Sequence, residues 1–287
     1  MKQLTVISGK GGTGKTSITA AFASLAKNAV FADCDVDAAD LHLILKPKII
    51  KTMQFHGLKR AVVDKDTCID CKKCYDHCVF GAIDEGINII TESCEGCGVC
   101  EYVCPVDAIQ MVDRDSGYAY LSETRFGPMA HAALNTAEEA SGKLVTVVRN
   151  NAIELAENNN KNLIIIDGPP GIGCPVIASI TDVDLVLIVT EPTLSAIHDL
   201  ERILGVAKHF DVPAIVCINK YDINIDNTQN IKQYCLKNNI EIVGELPYDV
   251  NVTKAMINEK TIVEFSDDDL SKKIKKMWGE IEEILIK

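Results

Sequence analysis

The chain has 287 residues, 47% of them hydrophobic, enough to build a substantial core as one large domain or two smaller ones. A net charge of -12 works against nonspecific binding to nucleic acid, whose phosphates would be repelled, so no nucleic-acid partner is expected. No apolar stretch is long enough to span a bilayer and the N-terminus enters a strand, so a soluble, cytoplasmic protein without a membrane partner is expected; its twelve cysteines then read as metal ligands rather than disulfides.

In chain order, LTVI (4–7) predicts a short strand, SGKGGTGKTS (8–17) a loop and ITAAFASLAK (18–27) a helix. The loop fits G-x-x-x-x-G-K-[ST] at Gly9, Gly14, Lys15 and Thr16, the P-loop pattern. Gly9, Gly11, Gly12 and Gly14 let the backbone wrap a phosphate with its N–H groups pointing inward, with Thr13 and Ser17 completing the cradle. Lys15 is expected to neutralise the β- and γ-phosphates and the Thr16 hydroxyl to bind Mg²⁺. Lys10 has no part in that scheme.

Next, AVFADCDVDAADLHLIL (29–45) reads as an apolar strand ending in carboxylates at Asp33, Asp35 and Asp37, some of which could serve only to cap the following helix. The chain then enters two cysteine motifs, CIDCKKCYDHC (68–78) and CEGCGVCEYVCP (94–105). Cys94, Cys97, Cys100 and Cys104 follow Cys68, Cys71, Cys74 and Cys78 at one constant interval, and Ala82-Ile83 recurs at the same interval as Ala108-Ile109, an internal duplication. C-x-x-C-x-x-C sets three thiolates on one tight loop around a 4Fe-4S cube, and the fourth ligand comes from the other repeat. One cluster is thus expected on Cys68, Cys71, Cys74 and Cys104, and the other on Cys94, Cys97, Cys100 and Cys78. Zinc on four cysteines is the competing occupant, which this exchange spacing does not require. Residues 61–112 resemble bacterial two-cluster ferredoxins, except that Val79 rather than proline follows Cys78.

Beyond the repeats, KNLIIIDGPPGIGCP (161–175) predicts a buried strand running into Asp167, with Gly168, Pro169, Pro170 and Gly171 behind it. That is the form of a Walker B site and its switch loop. Asp167 is expected to hold Mg²⁺, directly or through water, and the Gly171 amide to sense the γ-phosphate. DLVLIVTEP (184–192) reads as a strand, LSAIHDLERILGVAKHF (194–210) as a helix and AIVCINK (214–220) as another strand. The alternation implies an α/β fold, a parallel sheet with helices on both faces. The expected organisation is a discontinuous nucleotide domain at 1–60 and 113–287, with a small α+β ferredoxin-like insert at 61–112.

GKGGTGKT, DCDVD, IIIDGPPG and INK, in this order, resemble the MinD/ParA/Mrp class of P-loop ATPases with the deviant Walker A motif, here carrying an inserted ferredoxin. The resemblance implies a homodimer that forms on ATP binding, in which Lys10 acts in trans on the partner subunit's phosphates. A second cation at developing charge is the physics of an arginine finger. It further implies that Asp35 orients the attacking water, with Asp33 and Asp37 as alternatives, and that Asn219 and Lys220 read the purine while Pro247 packs against adenine. Asn219 to Asp222, NKYD, also fits the guanine-selecting N-K-x-D pattern, so GTP stays open beside the favoured ATP. Cys174 has the same offset from Asp167 as a cluster cysteine of the nitrogenase iron protein, a distant relative, but reads equally as a packed thiol. Cys34, Cys217 and Cys235 read as packing residues, and the six histidines show no metal-ligand spacing.

The terminal LSKKIKKMWGEIEEILIK puts Leu270, Ile274, Met277, Trp278, Ile281 and Leu285 on one helical face, expected to dock on the sheet rather than on lipid. The functional expectation is an ATPase that couples hydrolysis to electron transfer, or to iron-sulfur or other metal-cofactor assembly, on a partner protein. The rival is a MinD/ParA-like positioning ATPase that uses the clusters as a redox sensor or staple.

Overall fold

Strands buried on both faces carry unbroken apolar runs, and two such runs, LIII and LVLIV, form the middle of the fold. The computed structural model of the chain describes residues 1–135, 138 and 141–286. Its strands are β1 (Lys2–Ser8), β2 (Ala29–Asp33), β3 (Lys48–His56), β4 (Arg60–Val63), β5 (Ile109–Val112), β6 (Asp115–Thr124), β7 (Gly127–Leu134), β8 (Leu163–Pro170), β9 (Leu185–Thr190), β10 (Ala214–Asn219) and β11 (Ile242–Leu246). Nine of them form one sheet in the order β11-β10-β9-β1-β8-β2-β7-β6-β3, and pairing is parallel from β11 through β7. The expected mainly parallel α/β sheet is thus present.

Helices alternate with these strands: α1 (Lys15–Leu25), α2 (Leu41–Leu45), α3 (Lys73–His77), α4 (Val99–Tyr102), α5 (Gly142–Asn158), α6 (Cys174–Ile180), α7 (Ala196–His209), α8 (Ile225–Lys237), α9 (Asn251–Ile257), α10 (Ile262–Phe265) and α11 (Asp269–Ile286). The first helix begins earlier than expected, because Lys15, Thr16 and Ser17 of the loop already turn helically. Helix α11 buries the apolar face read from the sequence, with Leu270, Ile274, Met277, Trp278, Ile281 and Leu285 in the core; Trp278 packs on Phe22 of α1 at a centroid distance of 4.9 Å. Among the described residues no helix is long and apolar enough to cross a membrane.

The chain forms two compact units, one of Met1–Met53, Ala119–Ala133 and Ala140–Lys287, the other of Gln54–Tyr118 and Leu134–Glu139. The second unit is built on the duplication. Strands β4 and β5 pair antiparallel, Arg60 against Val112 through Val63 against Ile109, over a small core of Ala61, Cys74, Ile83, Ile87 and Ile109. Helices α3 and α4 begin at equivalent positions of the two repeats, Lys73 and Val99. Left-handed backbone recurs in the same register: Asp70 and Gly96 (φ 51° and 65°), Lys72 and Gly98 (58° and 76°), Gly81 and Asp107 (62° and 53°). In each pair one member is glycine and the other carries a side chain, so the loop path, not the residue, is what the repeat preserves.

Candidate functional site

Parallel register brings two carboxylates side by side. Asp33 ends β2 directly opposite Asp167 of β8, at the carboxyl edge of the sheet where open α/β folds bind ligands. The loop after β1 runs above them and delivers Lys15 at the start of α1. Its Nζ donates to Asp35 Oδ2 at 3.0 Å and to Asp167 Oδ1 at 3.1 Å, and the Thr19 hydroxyl donates to the same Asp167 oxygen at 3.1 Å. Lys15 is only 5% exposed and Asp167 is fully buried.

One ammonium among Asp33, Asp35 and Asp167 leaves an excess of negative charge. Burial, and then Asp167 beside it, pushes the Asp33 carboxyl well above the usual carboxylate range. Burial also raises Asp35, outweighing its pairing with Lys15. On Lys15 burial acts downward, but the attraction of Asp167 and Asp35 prevails and its pKa lies above the ordinary value. Of six buried side-chain polar atoms without a partner among the described residues, three are here: Thr13 Oγ1, Asp33 Oδ1 and Asp167 Oδ2. Unsatisfied buried acceptors in an anionic pocket suit a hard divalent cation, so these residues fit Mg²⁺, which takes one or two carboxylates and keeps several waters.

The other expected residues fall around the same loop. Lys10 Nζ is paired to Glu191 Oε1 at 3.0 Å and donates to the Thr193 hydroxyl at 3.1 Å. Lys220 Nζ reaches the second Glu191 oxygen at 2.9 Å and the Gly12 carbonyl at 2.9 Å. Asn219 Nδ2 donates to the Thr13 carbonyl at 2.7 Å and lies 2.4 Å from where a Cβ on Gly14 would stand. With φ at 89° as well, position 14 admits only glycine. Gly171 N donates to the Ser8 carbonyl at 2.8 Å, and Asp37 is exposed.

A largely apolar pocket opens beside Gly14 and Ser17, lined also by Asn219, Lys220, Pro247 and Val252. Asp222 does not line it, and its Oδ1 instead accepts the Tyr248 amide at 2.7 Å. Sequence reasoning passed over Glu191, Thr19 and Tyr248. For Glu191 a signal existed, since it directly follows the strand DLVLIVT at the edge that holds Asp33 and Asp167.

In the second unit no three His, Cys, Asp or Glu side chains converge on a single-ion site among the described residues. The eight motif cysteines instead line two pockets. Cys68, Cys71, Cys74 and Cys104 surround one, and Cys78, Cys94, Cys97 and Cys100 the other. The crossed sulfurs are supported alike: Ala82 N donates to Cys78 Sγ at 3.3 Å and Ala108 N to Cys104 Sγ at 3.2 Å. Two sets of four soft donors, each set around its own pocket, fit two iron-sulfur cubes.

The remaining cysteines behave differently. Cys34, Cys217 and Cys235 are buried, and burial raises Cys217 to about 12 and Cys235 to about 11, so they remain packed thiols. Cys174 is exposed at the start of α6.

Residues 4–262 match the family model described as the CobQ/CobB/MinD/ParA nucleotide binding domain. An uncharacterized protein of Methanocaldococcus jannaschii, MJ0578, is 37% identical over 288 residues, covering 99% of this chain and 97% of that protein. Pyruvate synthase subunit PorD of Methanothermobacter marburgensis is 49% identical over 49 residues, 17% of this chain and 60% of that one. Among solved structures, the septum site-determining protein MinD complexed with Mg-ADP from Pyrococcus horikoshii superposes with a TM-score of 0.60 at 15% identity, over 99% of this chain and 96% of that one. Phosphate loop, paired strand-end aspartates and crossed cysteine sets thus occur together in one member of the CobQ/CobB/MinD/ParA nucleotide-binding family, a P-loop ATPase with a ferredoxin-like insert.

Proposed function

We propose that this chain is a dimeric, ATP-dependent iron-sulfur protein that couples nucleotide turnover to electron transfer, or to assembly of an iron-sulfur or related metal cofactor, on a partner protein. The observation that carries the reading is the pair of crossed four-cysteine pockets on the same chain as the Lys15, Asp35 and Asp167 site. In functional terms, 61–112 is the electron-carrying domain and 1–60 with 113–287 the nucleotide domain. The likeness to the PorD protein supports the first assignment, and the family match the second.

In the nucleotide domain each residue has a physical task. The Gly9–Gly14 loop presents backbone N–H groups to phosphates. Lys15 gives up its carboxylate partners to neutralise the β- and γ-phosphates, while Thr16 and Asp167 would hold Mg²⁺, which would supply charge neutralisation at the phosphates. Asp35, freed from Lys15, accepts a hydrogen bond from the attacking water and aims it. Lys10 leaves Glu191 and supplies its cation across the dimer. The Gly171 amide, freed from Ser8, reports the γ-phosphate to the segment that follows. ATP is favoured over GTP, because Asp222, the NKYD carboxylate, does not line the base pocket and accepts the Tyr248 amide instead.

Coupling follows from chain order. The polypeptide that carries Asp35 runs on through α2 and β3 into the cysteine unit at Gln54, so a nucleotide-dependent shift at Asp35 has a covalent route to it. The clusters supply one-electron storage when bound. The test is anaerobic purification with iron and sulfide analysis, followed by ATPase assays with oxidised and with reduced protein. Turnover that changes with redox state is expected; equal rates in both states would sink the coupling.

A further inference from the structure

The two cysteine-lined pockets are equivalent by duplication but differ in charge. Lys72 and Lys73 line the pocket of Cys68, Cys71, Cys74 and Cys104. At the corresponding positions the other pocket has Gly98 and Val99, and Glu95 replaces Ile69. Over the loop from Cys68 to Cys78, Asp70 and Asp76 balance Lys72 and Lys73; from Cys94 to Cys104, Glu95 and Glu101 stand without any cation. Lys72, Lys73 and Glu95 are exposed, and none forms an ion pair among the described residues.

Asp107, between Val106 and Ala108 of the lysine pocket where the other repeat has Gly81, opposes the two lysines only in part, and two other influences are matched between the pockets. Each pocket receives one backbone N–H to a crossed sulfur, at 3.3 Å and 3.2 Å. Each has one exposed cysteine, Cys71 in the first and Cys97 in the second, and these two are matched in the duplication. Local charge is what remains. Adding an electron makes a cluster more negative, so nearby ammonium groups favour the reduced form and carboxylates oppose it.

Resting on the reading of two clusters proposed above, we infer that the clusters are unequal, the one at Lys72 and Lys73 being the more readily reduced. An electron delivered by a one-electron donor protein to the Glu95-flanked cluster passes on to the lysine-flanked one. The Glu95-flanked cluster would return to its oxidised state as the lysine-flanked one is reduced by one electron. A chain holding a single electron therefore holds it mostly at Cys68, Cys71, Cys74 and Cys104.

The test uses full-length protein purified without oxygen, its iron and sulfide measured first, and then titrated with dithionite and mediators under EPR. Two separated midpoints are expected. The double variant Lys72→Gly/Lys73→Val installs residues that the second repeat already carries on the same backbone path, and should lower the upper midpoint alone. Glu95→Ile, the converse exchange, should raise the lower midpoint alone. Because the charges are exposed, high salt should narrow the gap in the unaltered protein. A single unsplit midpoint, or a lysine variant that moves the lower midpoint or neither, would overturn the inference while leaving the clusters in place. Iron short of two cubes per chain would instead bring down the underlying reading, and the inference with it.

Discussion

Lys10 Nζ sits 3.0 Å from Glu191 Oε1 of its own chain, and Lys220 holds the other oxygen of the same carboxylate at 2.9 Å. Burial opposes the Glu191 charge, yet the bonds from Lys220 and Lys10 keep its pKa below the usual range. A lysine so held cannot reach a second subunit until the pair opens. A partly exposed pair of this kind is worth about 0.5–1 kcal/mol. Two such pairs open per dimer, so Glu191→Gln should lower the protein concentration giving half-maximal ATPase by about five- to thirty-fold. Lys10→Ala should abolish hydrolysis while monomers still bind nucleotide. An unchanged rate-against-concentration curve for Glu191→Gln would remove Glu191 as the restraint.

Asp33 predicts a trade of stability against binding. Its folded pKa lies above the unfolded one, so the group contributes most at pH values below about 4 and that contribution is lost as pH rises. Asparagine at 33 can still accept the Leu41 amide, now 3.3 Å away, without the buried charge. In nucleotide-free protein Asp33→Asn should gain about 1–2 kcal/mol at pH 7 and nearly nothing at pH 4. Urea unfolding at the two pH values measures it. Tighter Mg²⁺-nucleotide binding in the variant would contradict a cation role for this edge.

Backbone strain in the duplicated loops gives opposite expectations at two sites. Asp107 holds φ at 53° where its repeat mate is Gly81, so Asp107→Gly should stabilise by about 0.5–1 kcal/mol. At Gly96 a Cβ would stand 2.1 Å from the Lys59 carbonyl oxygen, which belongs to rigid backbone. Gly96→Ala should lose iron from the pocket of Cys94, Cys97 and Cys100 first, read as a drop in iron per chain on purification.

His131 gives a pH signature that does not involve nucleotide. Burial, aided by His42, depresses it to about 4, and its Nε2 is 2.8 Å from the Ser122 hydroxyl. A histidine kept neutral in the fold binds its proton first in the unfolded chain, whose pKa is about 6.5. Stability should be full above that value and fall by a few kcal/mol as pH drops toward 4. His131→Gln, which can retain a bond to Ser122, should flatten this slope in urea titrations between pH 4.5 and 7.5.

The terminal helix is tested by Trp278. Its ring packs on Phe22 and is 4% exposed, so Trp278→Ala should cost about 3–5 kcal/mol. If the face were instead a membrane anchor, the substitution would reduce liposome pelleting and leave the melting temperature nearly unchanged.

Much of the site was legible because the chemistry is encoded in short spacings. The C-x-x-C-x-x-C spacing of each repeat, with its fourth cysteine exchanged, indicates which sulfurs meet, and G-x-x-x-x-G-K-T marks the phosphate loop, although not that its helix already begins at Lys15. Three neighbouring acids could not be ranked from spacing; only the register of β2 on β8 separates Asp33, opposite Asp167, from Asp35, bonded to Lys15, and exposed Asp37. NKYD fits a base-reading pattern, and the pattern alone does not reveal that Asp222 lies outside the pocket lined by Asn219, Lys220 and Pro247 and accepts the amide of Tyr248. Glu191 and Lys10 meet from distant parts of the chain, and the strands Asp115–Thr124 and Gly127–Leu134 carry mixed polarity without a motif. Contacts of that range depend on sheet order, which local periodicity does not contain.

Cys78 and Cys104 each leave their own repeat to complete the other's cage. Trimming away either half would part three thiols in the survivor from their fourth companion and strand the remaining one, so the two repeats stand or fall as a unit.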